Sequence, residues 1–164
     1  MKAKHKVYIA IGSNLDNPVH QVKSAIKELS KIAKSHLTAV SNLYQSPPLG
    51  PVEQPDYINA VAEMETCLNA HDLLTELERI ETEHGRTRTT RRWGPRTLDL
   101  DLILFDNLSI NTPRLIVPHP EFHKRIFVLV PLYDIAPNLI LSTGKKLSEL
   151  IDEFPEKNLS IINE

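Results

Sequence analysis

A single α+β domain is predicted for this 164-residue chain from three observations. Short apolar, β-branched runs and amphipathic helical stretches are interspersed without the regular strand–helix–strand repetition of a doubly wound sheet. The hydrophobic share of 41 % and charged share of 24 % are those of an ordinary globular protein. The length supports one core and falls short of two ordinary domains, and neither an internal repeat nor a low-complexity segment interrupts it.

Val7 to Ile11 is a short apolar run ended by Gly12-Ser13-Asn14, which predicts a buried first strand. Asn17-Pro18 supplies a cap and a first-turn proline for a helix whose apolar stripe is Val19, Val22, Ile26, Leu29 and Ile32. Strands follow at Leu37–Tyr44 and Tyr57–Thr66. Between them lies Gln45–Pro55, where four prolines in eleven residues make a stiff loop, either a connector or a binding loop. A second helix runs from about His71 to His84, with Leu73, Leu74, Leu77 and Ile80 inward and Gly85 as its stop. The basic loop Arg86–Arg96 leads to a strand over Thr97–Phe105, and Asp106-Asn107 turns the chain into a return strand near Leu108–Ile110. Pro118-His119-Pro120 opens a helical stretch through Leu132 that Pro131 breaks or restarts. An amphipathic Leu147–Phe154 and a final Leu159–Ile162 complete the chain.

Several functions are excluded early. The five glycines stand at positions 12, 50, 85, 94 and 144, so neither a Rossmann G-x-G-x-x-G turn nor a P-loop can be written. One cysteine excludes a disulfide framework and a multi-cysteine zinc site. No apolar run approaches the length of a membrane span, and Val7–Ile11 is too short for the core of a signal peptide, so a cytoplasmic protein is expected. The net charge of −2 argues against a protein that coats nucleic acid.

Positive charge is unevenly placed. All eight arginines fall between Arg79 and Arg125, and no lysine occurs between Lys34 and Lys124. Guanidinium suits bidentate capture of phosphate. Five of these arginines lie in the loop Arg86–Arg96. A solvated charge run or a nucleic-acid patch would also be basic, but aromatic residues make up only 5 %, too few for a row of stacking platforms. A loop folding over a polyphosphate and excluding water accounts better for the arrangement.

The sharpest local feature follows that loop. Side chains alternate in a strand, so Asp99 and Asp101 share one face while Leu98, Leu100 and Leu102 take the other. Two neighbouring carboxylates need a compensating positive charge. Mg²⁺ typically takes one or two carboxylates together with substrate phosphates. Water or arginine alone would also satisfy a D-x-D pair, but the adjacent arginines favour the metal. His119, fixed between two prolines, is either a phosphate contact or acid, or a structural histidine. Trp93 can stack on a flat ring, and Tyr57, Asn59 and Phe127 can form a slot with amide edges suited to a heterocycle. The residues thus lead to a Mg²⁺-dependent phospho- or nucleotidyl transferase without a P-loop.

The string Arg92-Trp93-Gly94-Pro95-Arg96-Thr97-Leu98-Asp99-Leu100-Asp101 adds specificity. With Ile9–Leu15, Ser46–Gly50, Gln54–Asn59 and Val117–Pro120 it resembles the 6-hydroxymethyl-7,8-dihydropterin pyrophosphokinase family of folate biosynthesis, from about residue 6 to residue 140. The resemblance implies a ferredoxin-like fold, a central antiparallel sheet with helices packed on it, and one pyrophosphokinase domain over residues 1–164. It implies transfer of the terminal diphosphate of ATP to the pterin hydroxymethyl group, releasing AMP, with two Mg²⁺ ions held by Asp99 and Asp101.

By position, Arg86 and Arg96 join those aspartates as catalytic residues. Glu81, Arg88, Arg92, Leu102, Arg114, His119 and Arg125 fall on the nucleotide side. Ser46, Pro47, Leu49, Tyr57, Asn59, Trp93 and Phe127 fall in the pterin pocket. The arginines then bracket the donor, Arg86 to Arg96 from one side and Arg114 and Arg125 around His119, while Arg79 is left to surface pairing. A monomer acting on ATP and a reduced pterin alcohol, with no nucleic-acid or membrane partner, is expected. The alternative is a non-catalytic ferredoxin-like module binding nucleotide or RNA through Arg86–Arg96, against which the Asp99/Asp101 pair argues by repelling phosphate unless a metal intervenes.

Overall fold

Strand β1 (His5–Ser13) is covered on both faces, and that places it at the centre of the molecule. Val7, Ile9 and Ile11 pack with Val22, Ala25 and Leu29 of helix α1 (Pro18–Leu29) and with Leu73, Leu77 and Ile80 of helix α2 (Ala70–Glu83). Tyr8 and Ala10 point the other way, into a second cluster built on helices α3 (Ile126–Ile135) and α4 (Leu147–Asp152). Each fully buried leucine or isoleucine in these layers contributes about 1.5–3 kcal/mol. The computed structural model describes residues 4–15, 17–47, 55–84 and 98–162.

The sheet has six strands in the order β5 (Asp99–Phe105), β1, β4 (Tyr57–Thr66), β3 (Tyr44–Ser46), β8 (Ser160–Ile161), with β2 (Ser35–Val40) also on β4. All its pairings are antiparallel. Since β1 and β2 both run against β4, they are parallel to each other with α1 crossing between them, and α2 makes the matching crossover from β4 to β5. This is the ferredoxin-like arrangement. The predicted bounds of β4 coincide with those observed.

Several local expectations are corrected. Leu37–Tyr44 is two strands, because Ser41 leaves the regular ladder: its N–H donates to Val61 O and its hydroxyl accepts from Val61 N, both at 2.9 Å. Asn42 then gives its backbone N–H and its side-chain amide to Asp134 of α3, at 3.2 Å each. Asn17 stands at the N-cap of α1 but adopts a left-handed backbone with φ 62° and makes no side-chain cap bond; Pro18 sets the first turn instead. Asn69 does cap α2, accepting from Asp72 N at 2.8 Å.

The turn at Asp106 does not return a strand onto β5. Asp106 accepts from Lys6 N at 2.8 Å and pairs with His5 at 2.7 Å, which draws the turn to the start of β1. The chain then forms a separate ribbon, β6 (Ile110–Asn111) with β7 (Ile116–Val117). Pro118–Pro120 is not helical; a 3₁₀ turn at Phe122–Lys124 precedes α3. Pro131 lies inside α3 without ending it. It forfeits one helical N–H bond, to the Phe127 carbonyl, while Val128, Leu129, Pro131 and Leu132 are buried, so packing outweighs the lost bond.

Helix α2 ends at His84, whose Nδ1 donates to Gln21 Oε1 of α1 at 2.6 Å. Burial lowers the His84 pKa from its ordinary value. A histidine with a depressed folded-state pKa contributes stability that is present above the unfolded value and lost as pH falls through the folded one. The melting temperature is therefore expected to fall between about pH 7 and pH 5, and less steeply in His84→Gln. Identical slopes in the two proteins would show that this histidine carries no such linkage.

Candidate active site

One end of the sheet, on the α3 side, presents a polar row. Asp99 of β5 lies opposite Gly12 of β1, Gly12 opposite Asn59 of β4, and Asn59 opposite Tyr44 of β3. In the next row Asp101 is opposite Ala10, and Ala10 opposite Val61. Because cross-strand partners share a face, both aspartates project on the side that carries Asn59. The leucines of the L-D-L-D-L run turn into the other layer, as alternation predicts.

Asn59 is 4 % exposed and its Nδ2 donates to Ser46 Oγ at 2.6 Å. The pair comes together because Ser46 and Asn59 lie on the same face of adjoining strands. A Cβ on Gly12 would meet Asn59 Oδ1 at 3.3 Å and the Tyr57 ring at 3.7 Å. The missing side chain at position 12 therefore leaves room for Asn59 and Tyr57 at the floor of a slot. Gly12 is a site residue that function-directed reading of the sequence passed over; a glycine ending an apolar strand run was the available signal. Asn14 closes this corner by donating its side-chain amide to Pro55 O at 2.9 Å. Pro47, next to Ser46, is exposed.

Helix α3 supplies the opposite wall. Arg125 at its N-cap approaches Asp101, Nη1 to Oδ2 3.7 Å, and its guanidinium carbon lies 6.0 Å from the Phe127 ring centre. Asp134 locks the far end of the helix to the sheet by accepting the Tyr44 hydroxyl at 2.7 Å. Burial, then this bond to a carboxylate, push the Tyr44 phenol up to about 12. No sequence signal pointed to that tether.

His119 sits against β5, its N–H donating to Ile103 O at 3.1 Å. Its Nδ1 accepts from Glu121 N at 3.1 Å, so the neutral ring carries its proton on Nε2. Burial lowers its pKa, Asp101 opposes that, and Arg125 reinforces it. The structure thus gathers Asp101, His119 and Arg125 into one charged cluster. A cavity of about 1010 Å³ is lined by His119 with its flanking Pro118 and Pro120 and extends to Lys6, Glu63 and Lys145. Asp99, Asp101 and Arg125 do not line it.

Other expected residues are placed differently. Leu102 is 3 % exposed in the α1/α2 core, on the face of β5 away from Asp99 and Asp101. Arg114 is on the β6–β7 ribbon, where it donates to Thr75 Oγ1 at 2.8 Å and Glu78 Oε1 at 2.6 Å of α2. The expected bracket around His119 therefore divides, with Arg125 at Asp101 and Arg114 on the helix. Arg79 pairs with Glu76 and Glu83 along α2, as expected of a surface residue. Glu81 is buried and accepts from Leu100 N at 2.8 Å. Leu49, Arg86, Arg88, Arg92, Trp93 and Arg96 lie outside the described residues.

The donor set fits a divalent cation. Two half-buried carboxylates occupy one face two residues apart, and the arginine contact to Asp101 is long. No group of three or more histidine, cysteine or acidic side chains able to hold a metal occurs among the described residues. Two carboxylates completed by substrate phosphates and water is an arrangement suited to Mg²⁺.

Comparison with known proteins bears on this geometry. The family model for 7,8-dihydro-6-hydroxymethylpterin-pyrophosphokinase (HPPK) matches residues 8–137. The 2-amino-4-hydroxy-6-hydroxymethyldihydropteridine pyrophosphokinase of Haemophilus influenzae is 49 % identical over 156 residues, covering 95 % of this chain and 97 % of the relative. The protein of the same name from Pseudomonas aeruginosa is 48 % identical over 150 residues, covering 92 % of each. Among solved structures, wild-type Plasmodium falciparum HPPK-DHPS superposes with a TM-score of 0.74 at 14 % identity, covering 93 % of this chain and 45 % of that one, a likeness of fold. By the family match and these identities, the chain belongs to the 7,8-dihydro-6-hydroxymethylpterin-pyrophosphokinase family.

Proposed function

We infer that the chain transfers pyrophosphate from ATP to the hydroxymethyl group of 6-hydroxymethyl-7,8-dihydropterin, the step of folate biosynthesis that its family carries out. The observation that carries this reading is the row Asp99–Gly12–Asn59, which sets a carboxylate pair beside a buried amide over a floor with no side chain. In the reaction the hydroxymethyl oxygen forms a bond to the β-phosphorus, the bond from that phosphorus to the bridging oxygen breaks, and AMP leaves with that oxygen. The hydroxyl proton is released.

The chain's own residues have separable tasks. Asn59, held by Ser46, offers its amide to the pterin edge while Tyr57 and Phe127 supply ring surface. Asp99 and Asp101 would hold Mg²⁺, two ions in our reading, which would neutralise charge on the phosphates. His119, with Nδ1 occupied and Nε2 protonated, is a neutral donor to a phosphate oxygen rather than a base. Arg125 is within reach of the same charge. The nucleotide roles of Arg86, Arg88, Arg92, Arg96 and Arg114, and the stacking role of Trp93 beside Pro47 and Leu49, are proposed on the resemblance of their motif.

No helix among the described residues is long and apolar enough to cross a membrane. We read the protein as a one-domain cytoplasmic monomer acting on small molecules, since one chain supplies the whole row. Incubation with ATP, Mg²⁺ and the reduced pterin alcohol is expected to give AMP. ADP would mark an ordinary kinase, and no turnover combined with RNA binding would restore the non-catalytic alternative.

A further inference from the structure

Glu81 is a carboxylate removed from water, 6 % exposed on the inner side of α2. Its Oε2 accepts the N–H of Leu100 at 2.8 Å. That amide belongs to the residue between Asp99 and Asp101. Among the described residues β5 is an edge strand, bonded within the sheet to β1 alone, and an edge has backbone groups with no ladder partner. Leu100 is thereby held at both ends, its side chain in the α1/α2 core and its amide by Glu81.

Burying a carboxylate is costly, and an apolar side chain of similar size would fill this position without that cost. The hydrogen bond does something an apolar residue cannot: it fixes one peptide of an otherwise half-paired strand. Metal binding by two residues on that strand is sensitive to such fixing, because carboxylates must be steady to within about 0.5 Å to share a cation. We propose that Glu81 is a positioning residue for the carboxylate pair, setting the divalent-cation affinity of Asp99 and Asp101 through the Leu100 amide. The proposal rests on the reading of those aspartates as metal-holding, and it differs from a direct contact between Glu81 and nucleotide.

Two variants and two measurements test it. In Glu81→Gln an amide oxygen can still accept the Leu100 N–H, whereas in Glu81→Met nothing can. Mn²⁺ binding is followed by electron paramagnetic resonance in the presence of α,β-methylene-ATP, and binding of that analogue is measured separately without metal. Glu81→Met is expected to weaken Mn²⁺ binding by about tenfold, as loss of a group orienting a metal ligand does. It should lower kcat, keep the pterin KM within about twofold, and leave metal-free analogue binding unchanged. Glu81→Gln is expected to restore Mn²⁺ affinity to within about threefold of the wild type.

Unchanged Mn²⁺ affinity in Glu81→Met, equal losses in both variants, or weakened metal-free analogue binding would each overturn the proposal. Should Glu81→Met fail to fold, hydrogen exchange in the unmodified protein decides. The Leu100 amide should exchange as slowly as the β1-paired amides of β5, and rapid exchange overturns the proposal. Wild-type protein that binds no Mn²⁺ would instead remove the metal reading on which it stands, and that outcome is visible before any variant is made.

Discussion

Asp101→Ala is expected to lower kcat by at least about 10³-fold, since a metal-held phosphate charge is worth several kcal/mol in the transition state. Asp99→Ala should behave alike. The fold should survive both changes, because neither carboxylate is part of the core. Removing one of two crowded carboxylates also relieves repulsion. The ion pair lost with Asp101 among the described residues, to Arg125 at 3.7 Å, is long and partly exposed and contributes little. Single-turnover AMP release together with a thermal melt checks the result. A variant that melts far below the wild type would make the pair structural, and one that turns over normally would remove it from the chemistry.

Asn59→Ala is expected to raise the KM for the pterin by about 100-fold while the KM for ATP stays within about twofold, because a buried polar edge left unpaired costs roughly 1–3 kcal/mol on each side of the contact. The loss is twofold in kind. The heterocycle loses its amide, and Ser46, itself buried, loses the donor that reaches its hydroxyl at 2.6 Å. Steady-state kinetics with each substrate varied separates the outcomes. A loss shared equally between pterin and ATP would show that Asn59 organises the whole site rather than the pterin slot.

Much of this site was legible because strand chemistry is periodic. Alternation alone put Asp99 and Asp101 on one face, and the β-branched and small residues of Tyr57–Thr66 marked β4 to its ends. What failed depended on partners distant in sequence. Ser41 looks like any strand residue until its N–H donates to Val61 O and its hydroxyl accepts from Val61 N. Asp106 reads as a hairpin turn until Lys6 and His5 draw it to β1. Pro131 reads as a stop unless the burial around it is known. The role of Glu81 was invisible for a related reason: its partner is a backbone amide, which no side-chain pattern records.

The row Asp99–Gly12–Asn59–Tyr44 draws on four strands, and its members are contributed from widely separated parts of the chain. Such contacts form only after large loops have closed, late in the assembly of a sheet. No fragment ending before β5 contains both the slot and its carboxylates, so a chain cut short there holds no weakened version of the activity. Catalytic competence in this protein is therefore a report that the β1–β5 ladder has zipped.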